Sequence, residues 1–283
     1  MITPDPVELA EWQLARDRKA TARFTGMFQR RRAKMAVSPL SYLRGGAATF
    51  YRLLADFPEL REGPPGEGWI CGDAHLENFG VYRADEKRDD QRAIVFDLND
   101  FDEAAMGPFR YDVLRLVTSL ILGGRELGAS GTRSLGLCSQ LLAAYAGAVC
   151  EEIPLPEVPP PIARLLGKVE QRSGRDMLDQ RTEVANGLRR FVLDERYTAL
   201  PAGIAAAAPI AFEAYASALG GTWFDAVDVA FRIAGTGGLG TLRVAVLARD
   251  RDNPEKYRLF DMKESLAPCA AMVLKPPDLP QNV

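Results

Sequence analysis

Apolar residues recur at helical spacing through much of the chain, and turn residues interrupt this pattern at a few points. Ser38 and Pro39 form the first clear break, because proline does not continue a helix that already lies before it. The spacing predicts helices over residues 6–36, 40–54, 111–122 and 134–149, and mainly helical structure over 162–219. The chain before residue 226 is therefore predicted to be mostly helical.

Short apolar or alternating runs between turn residues predict β-strands in two parts of the chain. The early strands are predicted at 69–71, 79–82 and 93–96. The late strands are predicted at 227–233, 242–248 and 257–262. The pattern as a whole predicts an α+β protein, with a mostly helical large lobe over residues 1–225 and a small antiparallel β unit over 226–283.

Composition narrows the classes of function. Among the 283 residues, 47% are hydrophobic and 26% are charged, which are ordinary values for a globular protein. A net charge of -3 argues against a general nucleic-acid-binding protein, which needs a strongly basic surface. No run approaches the roughly 18 to 20 apolar residues that span a bilayer, and the first residues lack a signal-peptide pattern. We therefore expect a cytoplasmic protein without a membrane partner.

The most informative motif directly follows the first predicted strand. Residues 72–78 read Gly-Asp-Ala-His-Leu-Glu-Asn, so Asp73 follows the strand and Asn78 lies five residues later. In a phosphoryl-transfer loop, an aspartate accepts the proton of the attacking hydroxyl and an asparagine oxygen binds magnesium beside the phosphates. A surface turn uses the same residue types, so the motif alone leaves that alternative open.

A second polar segment follows the third predicted strand. Residues 97–103 contain four carboxylates, those of Asp97, Asp100, Asp102 and Glu103. Like charges at this density repel one another unless a cation compensates them. Oxygen ligands beside phosphates suit magnesium, so the segment predicts a magnesium site, with an acidic surface loop as the alternative.

The late β unit carries a glycine-rich turn and a lysine. Gly235, Gly237 and Gly240 fit the pattern Gly-x-Gly-x-x-Gly, and a predicted strand follows them. A dinucleotide-binding turn would lead into a helix, whereas a kinase-type glycine hairpin leads into a strand. Lys263 ends the last predicted strand, where it is either a phosphate ligand or a surface lysine.

The two polar motifs together resemble the catalytic loop and metal-binding aspartate of the aminoglycoside and choline kinase branch of the kinase-like superfamily. The resemblance implies that Asp73 is the catalytic base and that Asn78 binds the metal. His75 stands in the catalytic loop where many family members also have histidine. Cys71 replaces the histidine that usually lies two residues before the base. ATP and magnesium are the cofactors that this resemblance implies.

The same resemblance implies one metal-binding aspartate in the acidic segment. Asp100 lies twelve residues before Asp112, as the family's metal aspartate precedes the aspartate that begins the next helix and supports the catalytic loop. We favour Asp100 as the metal ligand and keep Asp97, at the strand end, as the alternative. Asp112 is equally well explained as an ordinary acidic residue in the first turn of a helix.

By this resemblance, the glycines at 235–240 and Lys263 contact phosphates from the small lobe. In ordinary kinases these parts precede the catalytic loop, whereas here they follow it. We therefore expect a circularly permuted kinase-like fold in which Lys263 lies opposite Asp73 across one cleft. An unrelated glycine hairpin is the alternative.

The chain as a whole resembles a bacterial family known only as domain of unknown function 2252. The matching segments lie at 34–39, 42–45, 72–80, 96–103, 107–108, 235–240 and 262–264. Members of that family usually continue well beyond the lysine strand, so the resemblance also implies an incomplete small lobe.

Three functions are compatible with these motifs. We expect first a magnesium- and ATP-dependent phosphotransferase that acts on an unknown small-molecule or protein acceptor. The alternative is a nucleotide-binding pseudokinase or scaffold, which an incomplete small lobe would favour. A metal-dependent phosphohydrolase comes third, because phosphatases of that kind need Asp-x-Asp and Asn99 holds the second acidic position.

Overall fold

Helices dominate the N-terminal part of the chain. The computed structural model describes residues 4–88, 91–150, 157–172, 174–218 and 224–274. The helices are α1 (Pro6–Thr21), α2 (Met27–Met35), α3 (Pro39–Gly45), α4 (Ala47–Asp56), α5 (Phe109–Glu126), α6 (Gly131–Cys150), α7 (Pro160–Gln171), α8 (Gly174–Asp179) and α9 (Ala202–Ala218). Ser38 caps α3, since its hydroxyl accepts a hydrogen bond from the Ser41 amide. The break predicted at this point is therefore the start of a new helix.

The strands pair with antiparallel neighbours. They are β1 (Glu67–Ile70), β2 (Phe79–Arg88), β3 (Gln91–Leu98), β4 (Ala105–Pro108), β5 (Thr182–Ala185), β6 (Leu188–Phe191), β7 (Tyr197–Thr198), β8 (Phe224–Arg232), β9 (Arg243–Asp250) and β10 (Tyr257–Lys263). β1 pairs with β4, β2 with β3, and β5 with β6, while the last four strands form a sheet in the order β10-β9-β8-β7. The predicted α+β class is confirmed.

The region over 162–219 contains more strand than the sequence pattern predicts. Besides α7, α8 and α9, it holds the hairpin of β5 and β6. Asn186 and Gly187 form its turn and both have positive φ, 52° and 76°. Asn-Gly is the pair that two-residue hairpin turns favour, because both positions need a left-handed backbone. The hairpin thus has a local cause that helical spacing does not report.

The chain forms two compact units. The first unit comprises Met1–Glu170 and Ser265–Val283, and the second comprises Gln171–Glu264. The second unit contains most of the predicted small β unit and also residues 171–225, while the predicted boundary between the two lobes stays a prediction. Helix α9 belongs to this unit, because it contributes Ala208 and Phe212 to the same apolar core as the late strands.

The core of the first unit forms around α4. Its buried residues Ala47, Phe50, Tyr51 and Leu54 recur at the spacing of one helix face. They pack against β1, β4, the start of α5 and a short 3-10 helix at Cys269–Met272. This packing fixes the end of β1, where the first polar motif begins.

The sheet of the second unit has apolar cores on both faces. The residues of β9 from Val244 to Ala248 are all nearly or fully buried, so the strand shows no polar alternation. One face packs against α9, where Phe212 contacts the rings of the late strands. The other face, which includes Tyr197 of β7, packs against Phe191 of β6.

Gly72 is a point of close approach between the end of β1 and the acidic segment. Its φ is 77°, in the left-handed region. A Cβ at this position would lie 2.0 Å from the carbonyl oxygen of Glu103. Only glycine fits both conditions, so Gly72 sets the path of the chain into Asp73.

Replacement of Gly72 by alanine is expected to destabilise the protein more than replacement of Gly128. Both glycines are left-handed, with φ of 77° and 78°, so each substitution carries about 1 to 2 kcal/mol of backbone strain. A Cβ at Gly128 meets nothing within 4 Å, whereas the clash at Gly72 adds about 1 to 3 kcal/mol. Urea denaturation measures the difference, and equal free energies of unfolding for the two variants would contradict the close approach.

Candidate functional site

Helix α5 holds the loop after β1 through polar residues on one face. The carboxylate of Asp112 accepts hydrogen bonds from the amides of Cys71, at 2.6 Å, and Gly72, at 2.9 Å. The hydroxyl of Ser119 accepts a hydrogen bond from the amide of Leu76 at 3.1 Å. Asp112 and Ser119 are seven residues apart, which places them on the same side of the helix. The loop is therefore fixed to a rigid element.

The guanidinium of Arg115, on the same helix, fixes the side chain of Asp73. Arg115 Nε donates to Asp73 Oδ1 at 2.7 Å, and Nη2 contacts the same oxygen. Nη2 also donates to the carbonyl of Leu43 at 2.7 Å, and the guanidinium lies 5.1 Å from the ring centroid of Phe50. Arg115 is completely buried. A buried cation needs a counter-ion, and Asp73 supplies it.

Burial and two neighbouring carboxylates raise the pKa of Asp73, and Arg115 lowers it. Burial raises the pKa of Asp73 to about 6, Arg115 opposes this rise, and the carboxylates of Glu103 and Asp100 add to it. The side chain still keeps 21% of its exposure, so a bound molecule can reach it. A carboxylate that is ionised at neutral pH, yet more basic than a surface aspartate, suits a proton acceptor.

His75, the chain's one histidine, is neutral at physiological pH. Burial, together with the guanidinium groups of Arg115 and Arg44, lowers its pKa to about 4. His75 Nδ1 accepts a hydrogen bond from the amide of Glu77 at 3.2 Å, so the ring proton is on Nε2. Nε2 lies 3.9 Å from Asp73 Oδ2. The ring therefore presents an N–H group to the oxygen that Arg115 does not engage.

The β2–β3 hairpin brings Asn78 beside the acidic segment. Its register sets Gly80 opposite Asp97, and the amide of Asn99 donates to the carbonyl of Asn78 at 3.0 Å. The side-chain nitrogen of Asn78 donates to the carbonyl of Asp73 at 2.8 Å. This hydrogen bond uses the donor end of the amide and leaves Oδ1 as its acceptor end. Oδ1 is the atom that could bind a cation.

Oxygen atoms beside this hairpin fit magnesium held together with phosphate. Asp97 and Asp100 are exposed, and each accepts a backbone hydrogen bond, from Leu98 at 2.7 Å and from Asp102 at 3.4 Å. Within the described ranges, no three side chains of His, Cys, Asp or Glu converge as a metal cage. Magnesium usually binds one or two carboxylates and completes its shell with phosphate and water. Asn78 with one of the two aspartates matches that donor set.

The far end of the acidic segment is anchored by Glu103. Its carboxylate accepts hydrogen bonds from the amide of Cys269, at 2.5 Å, and from the thiol, at 3.4 Å. Burial raises the pKa of Glu103 above its ordinary value, and these hydrogen bonds oppose the rise. Burial also raises the pKa of the Cys269 thiol to about 12, so the thiol stays protonated. Glu103 therefore supports the segment and is not a free ligand.

In the second unit, the glycine-rich turn connects β8 to β9 and lies over Lys263. Gly235 and Gly240 have positive φ, 69° and 103°. A Cβ on Gly238 would lie 3.6 Å from Cε of Lys263 and 3.7 Å from its Nζ. The glycine-rich turn therefore approaches Lys263 at Gly238.

The predicted site residues form two groups, one in each unit. The group in the first unit consists of Asp73, His75, Asn78, Asp97 and Asp100, and the group in the second of Gly235, Gly237, Gly240 and Lys263. The cleft with Lys263 opposite Asp73 stays a prediction. The choice between Asp97 and Asp100 also stays open.

Arg115 and Ser119 belong to the site, although the sequence motifs do not include them. Both lie on the face of α5 that carries Asp112, at three and seven residues from it. A polar stripe at this spacing on an otherwise apolar helix is the signal that points to them. The sequence shows this polar stripe, but it does not show that the stripe binds the loop after β1.

A comparison with family models confirms the resemblance of the whole chain to the bacterial family of unknown function; it does not test the resemblance to kinases. The model described as "Uncharacterized protein conserved in bacteria (DUF2252)" matches residues 23–281. No curated protein and no solved structure gives a significant match. Among the described residues, no helix is long and apolar enough to cross a membrane.

Replacement of Arg115 by methionine is expected to destabilise the protein strongly at neutral pH and less in acid. The change leaves Asp73 buried without its counter-ion, which costs about 3 to 5 kcal/mol while the carboxylate is charged. The pKa of Asp73 in the folded protein lies above its ordinary value. The folded state therefore binds the proton of Asp73 more tightly than the unfolded state does. The free energy of unfolding falls as the pH rises from the ordinary pKa of an aspartate to the raised pKa of Asp73. Loss of Arg115 extends this fall to higher pH.

Denaturation curves at about pH 5 and about pH 8 measure the effect on the free energy of unfolding. The control is Arg52→Met, which breaks a surface ion pair with Asp56 and should cost less than about 1 kcal/mol at both values. If Arg115→Met loses little free energy of unfolding, or loses the same amount at the two pH values, Asp73 is not the counter-ion of Arg115.

Proposed function

The chain belongs to the DUF2252 family of bacterial proteins, and we propose that it is a magnesium- and ATP-dependent phosphotransferase. Asp73 is the proton acceptor, and Asn78 with Asp100 or Asp97 binds the metal. Lys263 and the glycine-rich turn bind phosphate. The acceptor is a small molecule or a protein with a hydroxyl group.

One observation carries this proposal, namely the two hydrogen bonds from the amides of Cys71 and Gly72 to Asp112. The kinase resemblance implies an aspartate at the start of the next helix that supports the catalytic loop. An ordinary first-turn acid would stabilise the amides of its own helix instead. Asp112 binds the two amides directly before Asp73, and this supports a kinase-like loop over a surface turn.

The chemistry assigned to Asp73 follows from its two oxygens. Arg115 engages Oδ1, so Oδ2 is the oxygen that receives the proton of the acceptor hydroxyl. The hydroxyl oxygen attacks the terminal phosphorus of ATP, the bond from that phosphorus to the bridging oxygen breaks, and ADP leaves. The neutral His75 faces Oδ2 and adds no competing positive charge. Magnesium, when bound, neutralises charge on the phosphates. Asn78 and the acidic segment supply its protein oxygens.

The order of elements in the second unit supports a kinase-like small lobe. β8, the glycine-rich turn, β9 and then β10 with Lys263 at its end follow the order of a glycine loop and lysine strand. In this chain they come after the catalytic loop. The proposed fold is therefore kinase-like with its lobes circularly permuted.

A second candidate function is nucleotide binding without turnover, as in a pseudokinase or scaffold. The observation that favours it is the ion pair between Arg115 and Asp73, which holds the candidate base in a stable contact. A wild-type protein that binds magnesium-ATP but neither hydrolyses nor transfers its phosphate would establish this alternative.

Replacement of Asp73 by asparagine is expected to keep ATP affinity and to lower slow ATP hydrolysis by at least about 100-fold, because it removes proton acceptance. ATP hydrolysis serves as the readout while the acceptor is unknown. The control is Glu77→Gln, which changes an exposed carboxylate of the same loop. Hydrolysis by Asp73→Asn at the wild-type rate would exclude the role of Asp73 as the base.

Replacement of Asp100 or Asp97 by asparagine is expected to abolish the part of ATP binding that depends on magnesium. Both side chains are exposed, so the substitutions should leave the fold intact. Thermal unfolding with ATP, in the presence and absence of magnesium, measures the effect. Asp102→Asn is the control from the same segment. If all three variants retain the full magnesium effect, the acidic segment is not the metal site.

A further inference from the structure

Three cationic residues lie in one row across the sheet of the second unit. Lys263 on β10 pairs with Arg243 on β9. The β8–β9 register sets Phe231 opposite Val244, so Arg232 at the end of β8 lies beside Arg243. Directly opposed residues point to the same face of a sheet. Arg232, Arg243 and Lys263 therefore form a cationic row on three adjacent strands.

One carboxylate lies within this cationic row. Arg243 Nε donates to both oxygens of Asp261, at 3.0 Å and 2.9 Å, and Nη2 also contacts Oδ2. Arg232 Nη1 donates to Asp261 Oδ2 at 2.5 Å. Asp261 thus places its negative charge between the guanidinium groups of Arg232 and Arg243. Like charges placed directly opposite across strands destabilise a sheet, so such a row needs a functional reason.

The cationic row is partly withdrawn from solvent, which strengthens its positive potential. The side chains of Arg232 and Arg243 are 28% and 21% exposed. Burial lowers the pKa of Arg232, Asp261 opposes this change, and Arg243 and Arg181 add to it. The guanidinium groups therefore remain reachable for a ligand while being poorly screened by water.

The glycine-rich turn begins and ends at this row. Arg232 is the last residue of β8 and Arg243 is the first residue of β9, so the turn spans residues 233–242. The turn lies over Lys263 through Gly238. Its end is held down, because the amide of Leu242 donates to the Glu264 carboxylate at 2.9 Å. Glycines allow a close approach of backbone amides to an anion directly above the row.

We propose that Arg232 and Arg243, together with Lys263, bind the polyphosphate chain of a nucleotide or of free polyphosphate, in competition with Asp261. Adjacent strands lie about 4.8 Å apart, so the row spans about 10 Å, which suits a triphosphate. Guanidinium forks match the oxygens of phosphate. The short row and the net charge of -3 do not suit an extended nucleic acid.

This inference deepens the proposed function, since it assigns two further phosphate ligands to the same nucleotide site. It also stands on its own observations, all of which lie within the second unit. The experiment therefore measures anion binding without magnesium, independently of Asp73 and of the acidic segment.

Isothermal titration calorimetry of the full chain with inorganic tripolyphosphate tests the proposal. Arg232→Gln and Arg243→Gln should each weaken binding by at least about tenfold, because each removes a charge-assisted hydrogen bond. Asp261→Asn should tighten binding by about tenfold, because it removes the competing anion. An increase in affinity on loss of a partly buried ion pair is not expected of a residue with a purely structural role.

The matched controls are Arg251→Gln and Asp225→Asn, which break an exposed ion pair of the same unit, 2.6 Å long. Both should bind tripolyphosphate within about twofold of wild type. Circular dichroism confirms that each variant is folded. ATP, tripolyphosphate and adenosine are compared on the wild type. Tighter binding of ATP than of tripolyphosphate identifies a nucleotide, and equal binding identifies free polyphosphate.

The proposal is overturned if wild type binds neither ATP nor tripolyphosphate, or if Asp261→Asn binds no more tightly and both arginine variants bind as wild type does. Failure of the phosphotransferase proposal has a different readout. Normal ATP hydrolysis by Asp73→Asn, combined with the predicted calorimetry, would retain the polyphosphate site and reject the assigned base.

Discussion

The backbone amides of Cys71 and Gly72, directly after β1, are buried. The carboxylate of Asp112 accepts the hydrogen bonds that make this burial possible. An unsatisfied amide of Cys71 or Gly72 would cost about 1 to 3 kcal/mol, so the loop cannot leave α5 without penalty. With both amides bound, Gly72 takes its left-handed conformation and Asp73 is directed toward Arg115. The candidate base is therefore positioned by a helix, and the precision of the site comes from that rigid support.

The two units differ in the charged groups that each presents. In the first unit, the carboxylates of Glu103 and Asp100 act on Asp73, and Asp97 and Asp100 of the acidic segment are exposed. In the second unit, Arg232 and Arg243 share Asp261, and the glycine-rich turn lies over the neighbouring Lys263. Oxygen ligands suit the metal and guanidinium groups suit the phosphates, so each unit carries one part of the proposed chemistry.

Features with a local cause were predictable from the sequence, and features that depend on tertiary pairing were not. The motifs containing Asp73 and Gly235 lie at strand ends, where turn residues interrupt an apolar run. Arg115 was not predicted as a site residue, because its role depends on which loop packs against α5. The cationic row could be identified only from the registers of three strands, and the sequence does not show these registers. Asn186 and Gly187 are a local signal for a hairpin turn. The helical spacing of the surrounding residues nevertheless led to a prediction of helix for this region.

The chain's one histidine makes the central claim directly measurable, because His75 gives a single imidazole signal in NMR spectra of protein labelled only at histidine. His75 lies in the loop that contains Asp73 and Asn78, and Asp100 contributes to its electrostatic environment. If the loop and the acidic segment bind a metal nucleotide, manganese-ATP should broaden this signal strongly through paramagnetic relaxation, whereas magnesium-ATP should shift it without broadening. A His75 signal that is unchanged by saturating manganese-ATP would contradict the account.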